Sequence, residues 1–188
     1  ILLENPDKPV DSLIKKANEA GGNDNITDFA GGNDTYLYGI GDGDDYVYDF
    51  GGNDTIQFGY GLDQSDMRVL KDDYGNVTIS FLNQSGSIFV QNQLSNPTNT
   101  IETVEFYDNT TATLNSCINQ IGSEFNNIVL PTGYYDAHLW GSNNLSATGN
   151  SLDNNIYGTW GDNTLTGGLG NDYIQDDDGD DVYVYNVG

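Results

Sequence analysis

The chain is poor in basic residues, cysteine and long apolar runs, and each shortage excludes a class of protein. Its 188 residues include 5 lysines and arginines against 29 aspartates and glutamates, for a net charge of −24. Phosphate binding needs clustered basic side chains, so we expect no nucleic-acid partner, and an anionic membrane surface is disfavoured unless a cation bridges the two. No apolar run reaches transmembrane length, and no signal peptide is evident.

The same scarcity argues against an enzyme. The single cysteine, Cys117, excludes an internal disulfide, and the single histidine, His138, has no second histidine or cysteine nearby to complete a zinc site. There is no G-x-S-x-G motif, so a catalytic triad is not expected. Close carboxylate pairs could suggest a glycosidase, but each pair belongs to a repeated turn, which explains it better. We expect no enzymatic site here, although a longer parent protein could carry an enzyme or pore-forming domain elsewhere.

Glycine and aspartate, in contrast, recur with a period of nine. Residues 40–57 hold two consecutive units, IGDGDDYVY and DFGGNDTIQ, each with glycine at the fourth place, aspartate at the sixth and an aliphatic residue at the eighth. Glycine permits the positive-φ backbone of a tight turn, and the eighth residue faces one side of a short strand. Turn carbonyls and carboxylate oxygens together suit Ca²⁺, a hard cation that takes about six to eight oxygen ligands.

Five further units keep this phase. They are EAGGNDNIT (19–27), FAGGNDTYL (29–37), GTWGDNTLT (158–166), GGLGNDYIQ (167–175) and DDDGDDVYV (176–184). The unit at 167–175 matches the pattern G-G-x-G-x-D-x-U-x at every defined place. The candidate metal-ligating residues are the sixth-place Asp24, Asp34, Asp45, Asp54, Asp172 and Asp181, the turn residues Gly22, Gly32, Gly41, Gly43, Gly52, Gly170 and Gly179, and the sixth-place Asn163 of a degenerate unit.

On these repeats the chain resembles the RTX (repeats-in-toxin) family of haemolysin-type calcium-binding proteins. The resemblance implies a parallel β-roll in which two nonapeptides make one coil, so that Ca²⁺ lies between turns n and n+2. It would pair Asp24 with Asp45 and Asp34 with Asp54, and main-chain carbonyls of the glycine turns would complete each shell. The alternative is that these are Asx turns of a glycine-rich solenoid that holds no metal.

Four segments are expected along the chain. Residues 1–18 are a lead-in that could form a short helix, and residues 19–57 are the first β-roll block. The nine-residue phase stops over 58–115, where short strand and turn patterns predict a capping and spacing meander. This middle segment resembles the haemolysin-type calcium-binding-related domain. Residues 116–188 are the second block. The predicted fold is therefore all-β, with two parallel β-roll (β-solenoid) blocks that flank a small antiparallel β meander.

The second block is degenerate up to about residue 166. Its sixth places are assigned to Asn126, Asn143, Asn154 and Asn163, and its eighth places to Ile128, Leu145, Ile156 and Leu165. Asparagine supplies a neutral carbonyl oxygen together with an NH₂ donor, so it can form a ladder without metal but is a poorer calcium ligand. We therefore expect less calcium per repeat here than in the first block.

Together these features predict a calcium-binding RTX module of a large, type I-secreted bacterial protein, such as a toxin, adhesin or exported enzyme. Its expected partners are several Ca²⁺ ions and, through the parent chain, the type I secretion machinery. The expected location is outside the cell or on its surface, where calcium would drive folding. The alternative is a calcium-rigidified adhesin or surface-layer domain that binds glycan or another cell, which an exposed row of the 13 tyrosines would support.

Overall fold

The computed structural model describes residues 21–29 and 31–186, together with the backbone of 14–16. The regular structure of these residues is β-strand, apart from two short 3₁₀ turns at Gln64–Asp66 and Leu114–Cys117. The strands are β1 (Ile14–Lys16), β2 (Asn25–Thr27), β3 (Thr35–Tyr38), β4 (Asp44–Tyr48), β5 (Asp54–Phe58), β6 (Met67–Lys71), β7 (Val77–Phe81), β8 (Ser87–Val90), β9 (Ile101–Glu105), β10 (Thr111–Thr113), β11 (Gln120–Ser123), β12 (Ile128–Val129), β13 (Asp136–Leu139), β14 (Ser146–Thr148), β15 (Asn155–Tyr157), β16 (Thr164–Thr166), β17 (Tyr173–Gln175) and β18 (Val182–Val184). No helix in this part of the chain is long and apolar enough to cross a membrane.

The chain forms two compact units. The first unit consists of residues 1–67 and 81–116, and the second consists of residues 68–80 and 117–188. In both units, strands that are consecutive in the repeats join two different parallel sheets, so that two repeats complete one coil. The predicted all-β fold with stacked parallel β-solenoid coils is confirmed, and antiparallel strands are also present.

The first unit stacks its coils through two parallel ladders of inward-facing residues. The aligned residues are Tyr36, Ile56 and Val104 on one sheet and Ile26, Val47 and Val90 on the other. All are buried except Ile26, which is partly exposed. Because side chains alternate along a strand, the residues immediately before and after each of these point to the opposite face of their sheet. The eighth-place residues of the repeats therefore form the core of this coil, as their phase predicts.

The middle of the chain forms the predicted antiparallel meander only in part. Strands β9 and β10 are antiparallel. Strands β8 and β9, however, also pair in parallel with β4 and β5, and so add a coil to the first unit. Joining a ladder requires an inward apolar face rather than a glycine-aspartate turn, and both strands have that face. Between them the amide of Gln93 hydrogen-bonds the N–H and the carbonyl of Ile101, at 2.8 and 2.7 Å.

The second unit repeats the coil with smaller side chains. Its aligned inward residues are Ile121, Ala137, Ile156 and Ile174 on one sheet and Ile128, Ala147, Leu165 and Tyr183 on the other. Strand β6 pairs in parallel with β11 and extends the first of these sheets. Ala137, Ala147, Ile156 and Leu165 are completely buried. An aliphatic core of this kind stabilises the coil without any contribution from a metal ion.

The lead-in is not helical where the structure describes it. Ile14–Lys16 forms strand β1, which pairs in parallel with β3. The prediction of a short helix is therefore wrong at Ile14, because the parallel edge of β3 gives this segment backbone partners. The rest of the predicted helix, including Leu13 and Ala17, lies outside the described residues.

Candidate metal centre

Two fourth-place glycines of the first unit, Gly43 and Gly52, lie so close to the preceding coil that no larger residue fits. A Cβ on Gly43 would lie 2.5 Å from the carbonyl oxygen of Gly22 in the preceding coil, and Gly43 also has a φ of +97°. A Cβ on Gly52 would clash in the same way with the carbonyl of Gly32. The carbonyl oxygens of the predicted glycine turns therefore lie at the contacts between successive coils.

Glycine is required for the same steric reason in the second unit. A Cβ on Gly170 or Gly179 would lie 2.6 Å from the carbonyl oxygen of Leu152 or Gly161, respectively.

Gly41 of the first unit differs from these glycines, since a Cβ there would meet nothing within 4 Å. Its place in the motif reflects only its φ of +92°.

The sixth-place aspartates form a ladder along each turn stack. The backbone N–H of Asp24 donates to Asp45 Oδ1 at 3.0 Å, and that of Asp34 donates to Asp54 Oδ1 at 2.7 Å. The structure thus brings together the two pairs that the resemblance implies. At the next coil the N–H of Asp54 donates to Glu102 Oε2 at 2.6 Å. Glu102, a residue of β9 that the repeat phase does not identify, continues the ladder where the motif has ended.

Three buried carboxylates of the first unit each keep an oxygen without a hydrogen-bond partner. These oxygens are Oδ2 of Asp45, Oδ1 of Asp49 and Oδ2 of Asp54, and the residues are at most 1% exposed. Burial raises the pKa of Asp45 to about 6 and that of Asp49 to about 7, and it also raises the pKa of Asp54. Ionised carboxylates in such places need a counter-ion. The described side chains of the first unit include no lysine or arginine.

Asp49 belongs to a buried cluster of acidic side chains. Carboxylate oxygens of Asp28, Asp34 and Asp49 all lie within 4.8 Å of one another, and negative charge on Asp54 acts on Asp49 as well. The hydroxyl of the buried Tyr36 donates to Asp49 Oδ2 and holds this carboxylate in place. We name Asp28, Asp34, Asp49 and Asp54 the acidic tetrad. It is the strongest candidate cation site in the part of the chain that the structure describes.

The repeat motif missed two members of the tetrad, Asp28 and Asp49. The motif has glycine at the first place, where Asp49 stands, and Asp28 falls on a residue inserted between repeats. The available signal was the recurrence of DFAGGND at 28–34 and DFGGND at 49–54, with an aspartate at both ends of each turn. Because β2 pairs with β4 and β3 pairs with β5, these two turns are stacked on each other.

The opposite turn stack of the first unit offers fewer buried charges. Asp24 is exposed, so Asp45 is the one buried aspartate of that pair. The hydroxyl of Tyr38 donates to the carbonyl of Gly43 at 2.8 Å and occupies one of the predicted ligand oxygens. Any cation here would therefore have fewer buried carboxylate oxygens around it than in the tetrad.

In the second unit an asparagine amide lies at the turn position for which a metal ligand was predicted. Asn163 Oδ1 accepts a hydrogen bond from the N–H of Thr159 at 2.7 Å. Its Nδ2 donates to the carbonyl oxygens of Asn143 and Leu145, both at 3.4 Å. The turn carbonyls that would face a metal ion thus face an NH₂ group. Asn163 lies at the predicted place, but both ends of its amide are already hydrogen-bonded.

Asp172 and Asp181 each face an asparagine of the preceding coil, as predicted. The N–H of Asn154 donates to Asp172 Oδ1 at 3.0 Å, and that of Asn163 donates to Asp181 Oδ1 at 2.9 Å. Both aspartates are partly exposed. Each pair therefore contains one carboxylate, whereas the pairs of the first unit contain two.

A buried aspartate of the second unit is hydrogen-bonded by side-chain amides. Asp136 is 6% exposed, and its two oxygens accept hydrogen bonds from the side-chain amides of Gln120 and Asn155. A carboxylate that is hydrogen-bonded at both oxygens needs a cation less than one that is not. Asp136 is therefore not a candidate ligand, although it is as deeply buried as Asp28.

One predicted phase in the degenerate stretch is wrong. Ala147 is aligned with Leu165, so Ala147 holds the eighth place and Leu145 the sixth. The prediction assigned those places to Leu145 and Asn143. A hydrogen bond from the N–H of Asp162, a fifth-place residue, to Asn144 Oδ1 at 3.0 Å agrees with the corrected phase, in which Asn144 is also a fifth-place residue. A sixth-place leucine provides no ligand, so this turn is poorer in candidate ligands than predicted.

No known protein-family model matches the chain and no characterised protein shows significant similarity to it, so its function is inferred from the geometry.

Proposed function

We propose that this chain is a calcium-binding β-roll module that folds when it meets extracellular calcium. The observation that supports this most is the set of buried carboxylate oxygens without hydrogen-bond partners on Asp45, Asp49 and Asp54. Leaving ionised groups buried and unpaired is costly, and a bound cation removes that cost. The overall charge of −24 makes a cation the natural ligand for the whole chain.

Calcium is the favoured cation because of the donor set. The tetrad and the neighbouring turn carbonyls offer oxygen atoms only, which suits hard cations and disfavours zinc or copper. Carboxylate oxygens within 4.8 Å of one another are compatible with opposite ligands of Ca²⁺, since Ca–O distances are about 2.3–2.6 Å. Several ions are proposed, chiefly in the turn stacks of the first unit.

Calcium-dependent folding would suit a module of an RTX-type protein exported by a type I system. In a calcium-poor cytosol the acidic chain would stay extended by self-repulsion. Extracellular modules bind calcium with dissociation constants of about 10⁻⁴–10⁻³ M. At about ten times that concentration, one site stabilises the fold by only ~1.4 kcal/mol. Several coupled sites would therefore be needed for a sharp folding switch.

The experiment is circular dichroism of the full chain in chelator, followed by a calcium titration with magnesium as the control cation. We expect little β-signal from the first unit in chelator and a cooperative gain of β-structure with calcium. Magnesium at the same concentration should be less effective, because it demands octahedral geometry and gives up its water reluctantly. An unchanged spectrum, combined with no calcium binding by calorimetry, would refute the proposal.

A second candidate function is adhesion through a glycan, and one observation favours it. An open depression in the second unit is lined by Trp140, Trp160, Ser142 and Asp177. Trp160 is 72% exposed. Flat aromatic faces beside hydroxyl and carboxylate groups can stack on a sugar ring and hydrogen-bond its hydroxyls. A glycan array probed in calcium tests this, and Trp160→Ala should abolish any signal that comes from the depression.

A further inference from the structure

The acidic tetrad extends beyond the repeat motif on which calcium binding is proposed. A site built from the motif alone takes its carboxylates from the sixth place, here Asp34 and Asp54. Asp28 and Asp49 lie at the other end of each turn, yet they are only 6% and 1% exposed. Two stacked turns that begin and end with aspartate thus bring the carboxylates of Asp28, Asp34 and Asp49 within 4.8 Å of one another, with Asp54 beside Asp49.

We propose that the acidic tetrad binds a single Ca²⁺ ion in a closed site that is tighter than the other calcium sites of the chain. The proposal rests on the proposed function for the identity of its cation, but its residues come from the geometry. All four tetrad aspartates are buried, whereas the turns of Asp24 and Asp45 bury one aspartate and the turns of Asp172 and Asp181 bury none. Calcium affinity rises with the charge of the ligand set and with its rigidity.

The second, independent observation is the state of two buried tetrad oxygens. Oδ1 of Asp49 and Oδ2 of Asp54 have no hydrogen-bond partner, and their residues are 1% and 0% exposed. The Asp49 carboxylate is held in position, because the hydroxyl of Tyr36 donates a hydrogen bond to its other oxygen, Oδ2. Asp54 is fixed in the same way, since its Oδ1 accepts the N–H of Asp34. Each residue therefore has one oxygen engaged by the protein and one oxygen left for a ligand.

The second unit contains half of the same arrangement. Asp176 and Asp181 are the first and sixth residues of one turn, as Asp49 and Asp54 are. Asp176 Oδ2 is also buried without a hydrogen-bond partner. The turn stacked next to it begins with Gly158 and has an asparagine at its sixth place, so no tetrad forms. In both units, therefore, an aspartate at the first place of a turn buries a carboxylate oxygen. Four aspartates come together only where two turns of this kind are stacked.

A matched pair of variants tests the tetrad. Asp28→Asn combined with Asp49→Asn keeps the side-chain size and removes two charges. Asp63→Asn is the control, because Asp63 is exposed and its side chain makes no capping hydrogen bond. Titration calorimetry of the full chains with CaCl₂ should show one ion fewer in the double variant, the tightest one being lost. Asp63→Asn should bind as the unmodified chain does.

The outcomes separate this inference from the proposed function. If the unmodified chain binds no calcium, both are wrong. If it binds calcium and the double variant keeps the same number of ions and the same tightest affinity, the tetrad is wrong and the proposed function stands.

A second measurement covers the case in which the double variant does not fold. Terbium(III) replaces calcium in oxygen-rich sites, and its luminescence is excited by nearby tyrosine. Tyr36→Phe keeps the buried ring and removes the tyrosine that touches the tetrad, whereas Tyr60→Phe removes one that is 78% exposed. Emission at the first equivalent of terbium should fall in Tyr36→Phe and persist in Tyr60→Phe. Equal emission from the two variants would overturn the proposal.

Discussion

In the first unit the turn stacks contain buried aspartates, whereas the second unit has asparagines in the corresponding places. Asp34, Asp45 and Asp54 are at most 2% exposed and are surrounded by other acids. Asn154 and Asn163 are equally buried, but their NH₂ groups donate to carbonyls of the preceding coil. The coil is built from two parallel strands in both units. Amides complete the turn stack in the second unit, and under the proposed function a cation completes it in the first.

The two units share the glycine column, and breaking it should have the largest effect. Gly43→Ala should destabilise the calcium-loaded protein by about 2–4 kcal/mol, because its Cβ would press on the Gly22 carbonyl and its φ is positive. Gly41→Ala is the control, since it has the positive φ without the clash, and about 1–2 kcal/mol is expected. Urea unfolding in saturating calcium measures both. Equal losses would show that the close stacking is not limiting.

Two neighbouring aspartates of the first unit test whether buried carboxylates bind calcium. Asp45 is 1% exposed and has an oxygen without a partner, whereas Asp44 is exposed and accepts a hydrogen bond from Ser87. Asp45→Ala should raise the calcium midpoint for folding by at least about tenfold, because it removes a carboxylate from a buried site. Asp44→Ala should change it much less. If mere relief of acidic repulsion governed folding, the two midpoints would move together.

The role of the asparagine amides is tested by giving the second unit an aspartate where the first unit has one. Asn163→Asp places a second carboxylate beside Asp181 and removes the NH₂ group that caps the Asn143 and Leu145 carbonyls. In chelator the variant should be less stable by about 1–3 kcal/mol, because those groups lose their partner. In calcium it should bind an additional or tighter ion. Calorimetry that shows no change in calcium binding would contradict the idea that amide and cation are interchangeable.

A smaller effect is expected from pH in the absence of calcium. The pKa of Asp45 is raised to about 6 and that of Asp49 to about 7, chiefly by burial. The folded state therefore binds more protons than the unfolded state, in which the aspartate pKa is about 3.9. Stability from these groups is present below about pH 4 and is lost as pH rises through 6 and 7. Circular dichroism of the full chain in chelator at a series of pH values tests this sign, because the first unit should gain β-structure as the pH falls; β-structure that increases with pH would contradict it.

The coil and half of the tetrad could be predicted from the sequence because they follow from spacing. Nine-residue spacing with an aliphatic eighth place fixes which residues face inward, and two repeats per coil pairs Asp34 with Asp54. Asp49 could not be found this way, because its inward direction depends on how the turn before Gly52 bends. The phase error at Asn143 arose where no glycine-aspartate turn marks the repeat. A leucine occupies the sixth place there, and composition alone does not reveal that.

Hydrogen–deuterium exchange of the full chain, with and without calcium, shows whether the buried aspartates of the first unit need a cation that the buried asparagines of the second unit do not. On chelation the amides of 28–34 and 49–54 should lose protection, including the N–H of Asp34 that donates to Asp54. The amides of β15 and β16, next to the hydrogen-bonded Asn154 and Asn163, should keep most of theirs. Equal protection of all these segments in chelator, or equal loss in both units, would contradict the account in which buried aspartates need a cation and buried asparagines do not.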